Sequence, residues 1–265
     1  MRKIADAFKD RKAFIPFITA GDPDLATTEK LIAVMADAGA SLIEIGIPFS
    51  DPIAEGPVIQ EADIRALAAG TTVDGIFAMV GRLRETIDIP MVLMGYANPF
   101  FHYGYDAFFR RCAEAGIDGA IIPDIPFEEK HEAADVAERY GVAVLSMIAP
   151  TSEARIQKIA AEAKGFIYLV SSMGVTGMRS AITTDLDAMV LAIREVSDVP
   201  IGIGFGIHTP EQAVEMAAIA DGAIVGSAVV NLVAEHGRDA GSYVEAYVRE
   251  MVTAVNRVPL GEAEK

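Results

Sequence analysis

The chain has few positively charged residues: its 265 residues include 22 Lys and Arg against 38 Asp and Glu, for a formal net charge of −16. Proteins that bind nucleic acid through a broad electrostatic footprint carry the opposite balance, so we expect no nucleic-acid partner. The deficit does not exclude an anionic small molecule, because backbone N–H groups at a helix N-terminus can bind a phosphate locally.

Cysteine is also scarce, and no segment resembles a targeting or membrane sequence. Cys112 is the only cysteine, which excludes an internal disulfide and fits a reducing compartment. The first ten residues, MRKIADAFKD, lack the apolar stretch of a signal peptide. The longest uncharged run, residues 89–105, contains two prolines and two glycines and is a poor membrane span. We therefore expect a cytoplasmic protein that does not enter the membrane.

Several common catalytic signatures are missing as well. The four histidines are scattered and none has ligand spacing with a cysteine or carboxylate, so we predict no metal site. No serine has the G-x-S-x-G setting of an α/β-hydrolase. No lysine falls inside a predicted strand, which disfavours a Schiff-base mechanism.

What the chain does have is a repeated alternation of short apolar runs with longer amphipathic ones. The short runs are rich in Ile and Val and apolar on both faces, as strands buried in a parallel sheet are. The predicted strands are residues 14–18, 41–46, 90–95, 118–123, 142–147, 166–171, 200–205 and 222–227.

Eight strand–helix units in about 250 residues favour a closed (β/α)8 barrel, with a doubly wound sheet as the alternative. We find no linker, so we predict one domain over residues 1–265. The pattern also predicts a short helix within residues 1–10, two helices between the second and third strands, and an extra helical turn after the third.

The second predicted strand, SLIEIG, contains a charged residue. If Ile43 and Ile45 face the helices, the period of two directs Glu44 into the barrel mouth, where the active sites of such barrels lie. A carboxyl group in an apolar cavity has a raised pKa, which suits proton transfer. The alternatives are a glutamate buried in an ion pair, or a strand placed one residue out of register.

The loop that follows, PFSDPIAEGP, carries two further carboxylates, Asp51 and Glu55. Glu55 lies on the loop that follows the strand of Glu44, and two carboxylates at one cleft can divide acid and base roles. The alternative is an acidic loop exposed to solvent.

Glycine-rich segments follow the sixth, seventh and eighth strands: SSMGVTGM (171–178), GIGFGIHTP (202–210) and VGSAVV (225–230). Barrels often bind phosphate with the loops after strands 7 and 8, and Gly204, Gly206, Gly226 and Ser227 would let backbone N–H groups approach an anion. The alternative is that these glycines only form tight turns.

Several of these motifs occur together in one family. LIEIGIPFSDPIAEGPVIQ, FITAGDP, YANP, FIYLVSSMGVTG, GFGI and VGSA, in this order and spacing, closely resemble the tryptophan synthase α subunit over nearly the whole chain. The resemblance implies a (β/α)8 barrel that cleaves indole-3-glycerol phosphate to indole and glyceraldehyde 3-phosphate by a retro-aldol reaction.

The resemblance also implies residue roles. Glu44 matches the acid/base glutamate, and Glu55 matches the carboxylate that holds the indole N–H, where Asp is more usual. The matching substrate-binding positions are Phe17, Met94, Tyr96, Asp124, Tyr168, Thr176 and Phe205. The matching phosphate-binding positions are Gly177, Gly206, Gly226 and Ser227.

Finally, the resemblance implies an α2β2 complex with a β subunit that uses pyridoxal phosphate, so we expect no cofactor in this chain. Pro48, Asp51 and Asn98 match the docking side. Three alternatives stay open: a stand-alone indole-releasing lyase, another phosphate-binding barrel such as a sugar-phosphate isomerase, and a silent barrel that only activates its β partner.

Overall fold

The strands of the chain form a nearly closed parallel barrel. The computed structural model describes residues 4–171, 185–204 and 206–260. In these ranges the strands are β1 (Ala13–Thr19), β2 (Ile43–Gly46), β3 (Met91–Met94), β4 (Gly119–Ile121), β5 (Ala143–Val144), β6 (Ser146–Ile148), β7 (Ile167–Val170), β8 (Ile201–Gly204) and β9 (Gly222–Val225). Their order is β5-β4-β3-β2-β1-β9-β8-β7-β6, and every pair is parallel.

The two edges of the sheet meet in residues 142–147, which the sequence predicts as one strand. β5 and β6 are separated only by Leu145, whose N–H donates to the carbonyl oxygen of Ala120 at 2.9 Å. The first half of this segment pairs with β4 and the second half with β7. Nine short strands therefore form the eight staves of the predicted barrel, and the doubly wound alternative is excluded.

Helices follow the strands. They are α1 (Leu25–Asp37), α2 (Pro57–Ala68), α3 (Val73–Leu83), α4 (Ala97–Tyr103), α5 (Tyr105–Ala115), α6 (His131–Arg139), α7 (Glu153–Ala161), α8 (Leu186–Arg194), α9 (Pro210–Ile219), α10 (Ser227–His236) and α11 (Gly241–Val255). The two helices predicted after the second strand are α2 and α3. The extra helical segment after the third is α4, which Gly104, with a φ of 86°, separates from α5.

Helix ends follow the local sequence. Asp24 accepts a hydrogen bond from the Thr27 N–H at 2.8 Å and caps α1. Thr209 and Gln212 form a reciprocal capping box at α9, with a proline in its first turn. Such caps satisfy N–H groups that have no partner within the helix, and they determine where the loops over the barrel mouth end.

Side chains alternate between two cores along each strand. Ile43 and Ile45 belong to the cluster between the strands and the helices, whereas Leu42 belongs to the cluster inside the barrel. This alternation confirms the predicted register of β2, because Glu44 then points inward.

The start of the chain closes the bottom of the barrel. The helix expected within residues 1–10 is a short 3-10 helix, Ile4–Phe8, rather than an α-helix. Ile4 and Phe8 are buried in the inner cluster, and the ring of Phe8 lies 5.6 Å from that of Phe166. Ile4 also lies against Gly119 and Gly165, at the amino ends of β4 and β7, so in the described part of the chain this helix fills the end of the barrel opposite the pocket.

The described residues include no single helix long and apolar enough to cross a membrane. α2 and α3 reach that length and composition only when taken together, and the chain bends by 96° between them.

Candidate active site

A pocket lies at the carboxyl ends of the strands, where the loops of the barrel meet. It holds about 600 Å³ of empty space, including its mouth. Its walls are formed by Phe17, Glu44, Ala54, Glu55, Ile59, Met94, Tyr96, Pro123, Met147, Tyr168, Gly206, Ile207, Ile224, Gly226 and Ser227. Most of these side chains are apolar, and the two carboxyl groups in the set are those that the sequence predicts.

Glu44 is wholly buried on β2, between its register partners Phe17 on β1 and Val92 on β3. Within the described residues, neither oxygen of its carboxyl group meets a hydrogen-bond donor. Burial disfavours the charged form and raises the pKa of Glu44 to about 8. The group is therefore largely protonated at neutral pH and can both give and take a proton near it. The ion-pair alternative for this residue is excluded among the described side chains.

Tyr168, on β7, is buried inside the barrel with Glu44 close enough to affect its ionisation. Burial and then the negative charge of Glu44 raise the pKa of Tyr168 well above its usual value, so its hydroxyl stays neutral. The tyrosine needs the glycine beside it, because a Cβ on Gly204 would lie 2.4 Å from the Tyr168 hydroxyl oxygen. The missing side chain at Gly204 thus makes room for Tyr168.

Glu55 also lines the pocket and is hydrogen-bonded to Tyr96. The Ala54 N–H donates to the Tyr96 hydroxyl oxygen at 3.0 Å, which leaves the hydroxyl proton for the Glu55 carboxylate. Burial raises the pKa of Glu55, while hydrogen bonds from Asp63 and Tyr96 act in the other direction. Tyr96 thus holds the loop after β2 and directs the Glu55 carboxyl group.

Asp63, on α2, is a residue of this site that the sequence reasoning missed. Its side chain is buried and hydrogen-bonded to that of Glu55. Burial, and then the charge of Glu55, raise the pKa of Asp63 to about 9. A signal was available, because Asp63 lies four residues after Ile59 and therefore on the same apolar face of the helix.

The apolar part of the pocket lies between these carboxyl groups and can hold a flat aromatic ring. Phe17, Met94 and Ile59 pack together there, and Ile224 adds a further wall. Phe17 lies across Gly46, where a Cβ would come within 2.5 Å of its ring. Phe17 and Met94 thus occupy the positions predicted for them.

Part of the pocket wall consists of glycine backbone and the start of a helix. Gly226 and Ser227 lie at the N-terminus of α10, and Gly206, with a φ of 84°, follows β8. All three line the pocket. A helix N-terminus beside two glycines can bind a phosphate through N–H groups and the helix dipole.

The remaining predicted residues lie outside this pocket or outside the described ranges. Asp124 is not one of the wall residues; its carboxylate accepts the Ala97 N–H at 2.8 Å, at the first turn of α4. Thr176, Gly177 and Phe205 fall outside the described residues.

Of the residues predicted on the docking side, Asp51 and Asn98 are exposed, whereas Pro48 is buried in the chain taken alone. Large apolar side chains are exposed beside the first two: Ile53 and Phe101 are each 73% exposed. No three His, Cys, Asp or Glu side chains from the described part of the chain come together as a metal site would require.

Known proteins match the chain over almost its whole length. The family model for the tryptophan synthase alpha chain matches residues 4–256. The tryptophan synthase alpha chain of Lacticaseibacillus casei is 50% identical over 256 residues, which cover 97% of this chain and 96% of that protein. The corresponding protein of Geobacter sulfurreducens is 48% identical over 263 residues, covering 95% and 99%.

Solved structures agree with the sequence relatives. The crystal structure of the tryptophan synthase alpha chain from Legionella pneumophila superposes with a TM-score of 0.87 at 36% identity and covers 99% of both chains. A chain of the tryptophan synthase complex from Pyrococcus furiosus superposes with a TM-score of 0.83 at 32% identity, covering 92% of this chain and 98% of that one.

Proposed function

The chain belongs to the tryptophan synthase alpha chain family, and we propose that it cleaves indole-3-glycerol phosphate to indole and glyceraldehyde 3-phosphate in the pocket described above. The observation that carries the assignment of the site is Glu44. It is a wholly buried carboxyl group, with no donor among the described residues, at the wall of an apolar pocket that ends on a helix N-terminus.

Glu44 carries the proton transfers. Its protonated form gives a proton to C3 of the indole ring. The resulting carboxylate takes the proton of the hydroxyl group on the adjacent carbon while the carbon–carbon bond breaks. The bonding electrons return to the ring and an aldehyde forms. Glu44 ends in its protonated state, so the cycle consumes no proton, and a pKa of about 8 lets both transfers occur near neutral pH.

Glu55 stabilises the charge that develops on the ring. Protonation at C3 makes the indole nitrogen positive, and a carboxylate that accepts its N–H opposes that charge inside a largely apolar pocket. The Tyr96 hydroxyl donates a hydrogen bond to Glu55 and so orients its carboxylate. Phe17 and Met94 enclose the ring, and the N–H groups at Gly206, Gly226 and Ser227 hold the phosphate.

The chemical properties of the product, indole, also favour a complex with a partner enzyme. Indole is apolar and uncharged and would be lost by diffusion, so a family that releases it benefits from a closed path to the next enzyme. We infer an α2β2 complex in which the β subunit, not this chain, holds pyridoxal phosphate. Ile53 and Phe101, exposed near Asp51 and Asn98, fit the docking surface. A cytoplasmic location stays a prediction from the sequence.

The test is an assay of indole release from indole-3-glycerol phosphate, with and without a β subunit. Glu44→Gln keeps the shape of the side chain but cannot exchange the proton, and we expect turnover to fall about 100-fold or more. Glu61→Gln, an exposed change on α2, is the control and should keep full activity.

Near-normal turnover of Glu44→Gln would overturn the assignment. High wild-type turnover without a partner would identify a stand-alone lyase. Turnover of phosphosugars without indole release would point to an isomerase, and tight β binding without any lyase turnover would point to a silent activator.

A further inference from the structure

The half-buried carboxyl group of Glu55, in the pocket wall, contacts the buried carboxyl group of Asp63 behind it. Glu55 Oε2 and Asp63 Oδ2 are both inaccessible to water, and no donor among the described residues reaches either of them. Yet the two side chains are hydrogen-bonded partners. A hydrogen bond between two carboxyl groups requires one of them to carry a proton, and one shared proton satisfies both orphaned oxygens.

Among the residues that the structure describes, no cation neutralises a second charge on this pair. Asp63 accepts the Phe49 N–H, and Asp22 adds a further negative charge nearby. Arg65, the cation of α2, holds both oxygens of Asp22 at 2.8 and 2.7 Å.

In the described ranges, β1 and α10 are the elements that pack most extensively against α2, and neither brings a charge to Asp63. β1 carries no titratable side chain, and those of α10, Glu235 and His236, lie at its carboxyl end, away from the pocket. Among the described residues, the other titratable group that contacts Glu55 is the Tyr96 hydroxyl, which is neutral because burial and the charge of Glu55 raise its pKa.

We propose that Glu55 and Asp63 share one proton and act as a single unit of charge −1, in which Asp63 is the positioning residue for the carboxylate that receives the indole N–H. Asp63 donates to Glu55 Oε2 and so fixes the direction of the other oxygen toward the pocket. This inference rests on the proposed function only for the identity of the ring.

The shared proton has a consequence for the pH dependence. Because the pKa of Asp63 lies near 9, the unit keeps its single charge across neutral pH and becomes doubly charged in alkaline solution. Two like charges in one buried site repel each other, and Glu55 then loses its orientation. The active form of the pair is therefore the singly protonated one.

The experiment compares Asp63→Asn and Asp63→Ala with the wild-type chain, with β subunit present. Asparagine can donate a hydrogen bond to Glu55 at every pH, whereas alanine cannot. We expect kcat/KM of Asp63→Ala to be about tenfold or more below that of the wild type. At neutral pH, Asp63→Asn should retain most of the wild-type kcat/KM. Glu61→Gln, which removes an exposed charge from the same helix, should match the wild type.

The pH profile separates positioning from a merely structural role. Above pH 9, log kcat/KM of the wild type should fall with a slope near −2, because Glu44 and the pair each lose a proton. In Asp63→Asn only Glu44 titrates, so the slope should be near −1. Equal slopes in the two proteins would overturn the proposal.

A spectroscopic titration does not depend on activity. In a Glu44→Gln background, infrared difference spectra should show one carboxyl proton lost near pH 9, and Asp63→Asn added to that background should remove the signal. Persistence of the signal would overturn the shared proton. If the wild type releases no indole but the signal behaves as expected, the proposed function fails and the shared proton stands.

Discussion

Phe17 and Glu44 are register partners on β1 and β2, so an aromatic ring and a carboxyl group enter the same pocket side by side. Their pairing explains the high pKa of Glu44, since the ring and the strands around it exclude the water that would stabilise a carboxylate. A shift of one residue in β2 would turn Glu44 toward the helices and bring Ile43 or Ile45 into the pocket.

Glu44 should make the protein less stable as the pH rises. Its pKa lies above that of an exposed glutamate, so between about pH 4.5 and 8 the folded chain binds more protons than the unfolded one. The free energy of unfolding therefore falls through this window. Glutamine does not titrate, so Glu44→Gln lacks this loss. Between pH 5 and pH 9 the free energy of unfolding of the wild type should therefore fall by about 2–5 kcal/mol more than that of Glu44→Gln. Urea unfolding at both pH values measures the difference; parallel pH dependences would contradict it.

The same carboxyl group should set the first alkaline limb of the activity profile. Because the protonated form starts the reaction, kcat/KM should decline through a midpoint near pH 8, where Glu44 loses its proton in the free enzyme. Initial rates of indole release between pH 6 and 10 give this midpoint. A midpoint below pH 6 would mean that Glu44 is solvated and is not the acid.

Gly204→Ala should displace Tyr168. The added Cβ would lie 2.4 Å from the Tyr168 hydroxyl oxygen, a contact that no packed structure tolerates. We expect a loss of about 1–3 kcal/mol of stability and a loss of activity as the ring moves within the pocket. Gly81→Ala is the control: its Cβ meets no atom within 4 Å on α3, and it should be neutral or stabilising. Thermal unfolding of the two variants, each with its rate of indole release, provides the comparison.

Glu55→Asp should lower activity modestly. The shorter side chain retains the charge but retracts the carboxylate from Asp63 and Tyr96, so its orientation weakens. We expect a fall of a few-fold in kcat/KM with little change in stability. Steady-state kinetics of indole release measure this change. A rise in kcat/KM would mean that aspartate fits this pocket better than glutamate does, which contradicts the expectation.

The barrel and its main carboxylates could be predicted because they depend on local patterns. Residues 41–46 alternate outward Ile with inward Leu42 and Glu44, and a strand buried on both sides keeps that alternation. The glycines at the end of β8 and before α10 leave space for the side chains of Tyr168 and Phe17, and glycine-rich loops can be recognised in the sequence.

Other features left a weaker trace. Gly104 has a positive φ and therefore separates α4 from α5. The apolar periodicity on its two sides is continuous, so the sequence does not reveal this break. Residues Ile4–Phe8 form a 3-10 helix at the amino end of the barrel, because Ile4 and Phe8 are held by contacts with residues far along the chain, such as Phe166.

The sequence by itself thus determined which side of each strand is apolar, where the chain turns, and that a lone glutamate lies within an apolar strand. Only the tertiary structure decided that Asp63 meets Glu55, that Tyr168 occupies the space left by Gly204, and that Asp124 binds a helix end outside the pocket wall. The physical reason is the distance along the chain between the interacting residues. Hydrophobic periodicity and helix capping involve residues a few positions apart, whereas proton sharing and steric exclusion involve side chains that only the closed barrel brings together.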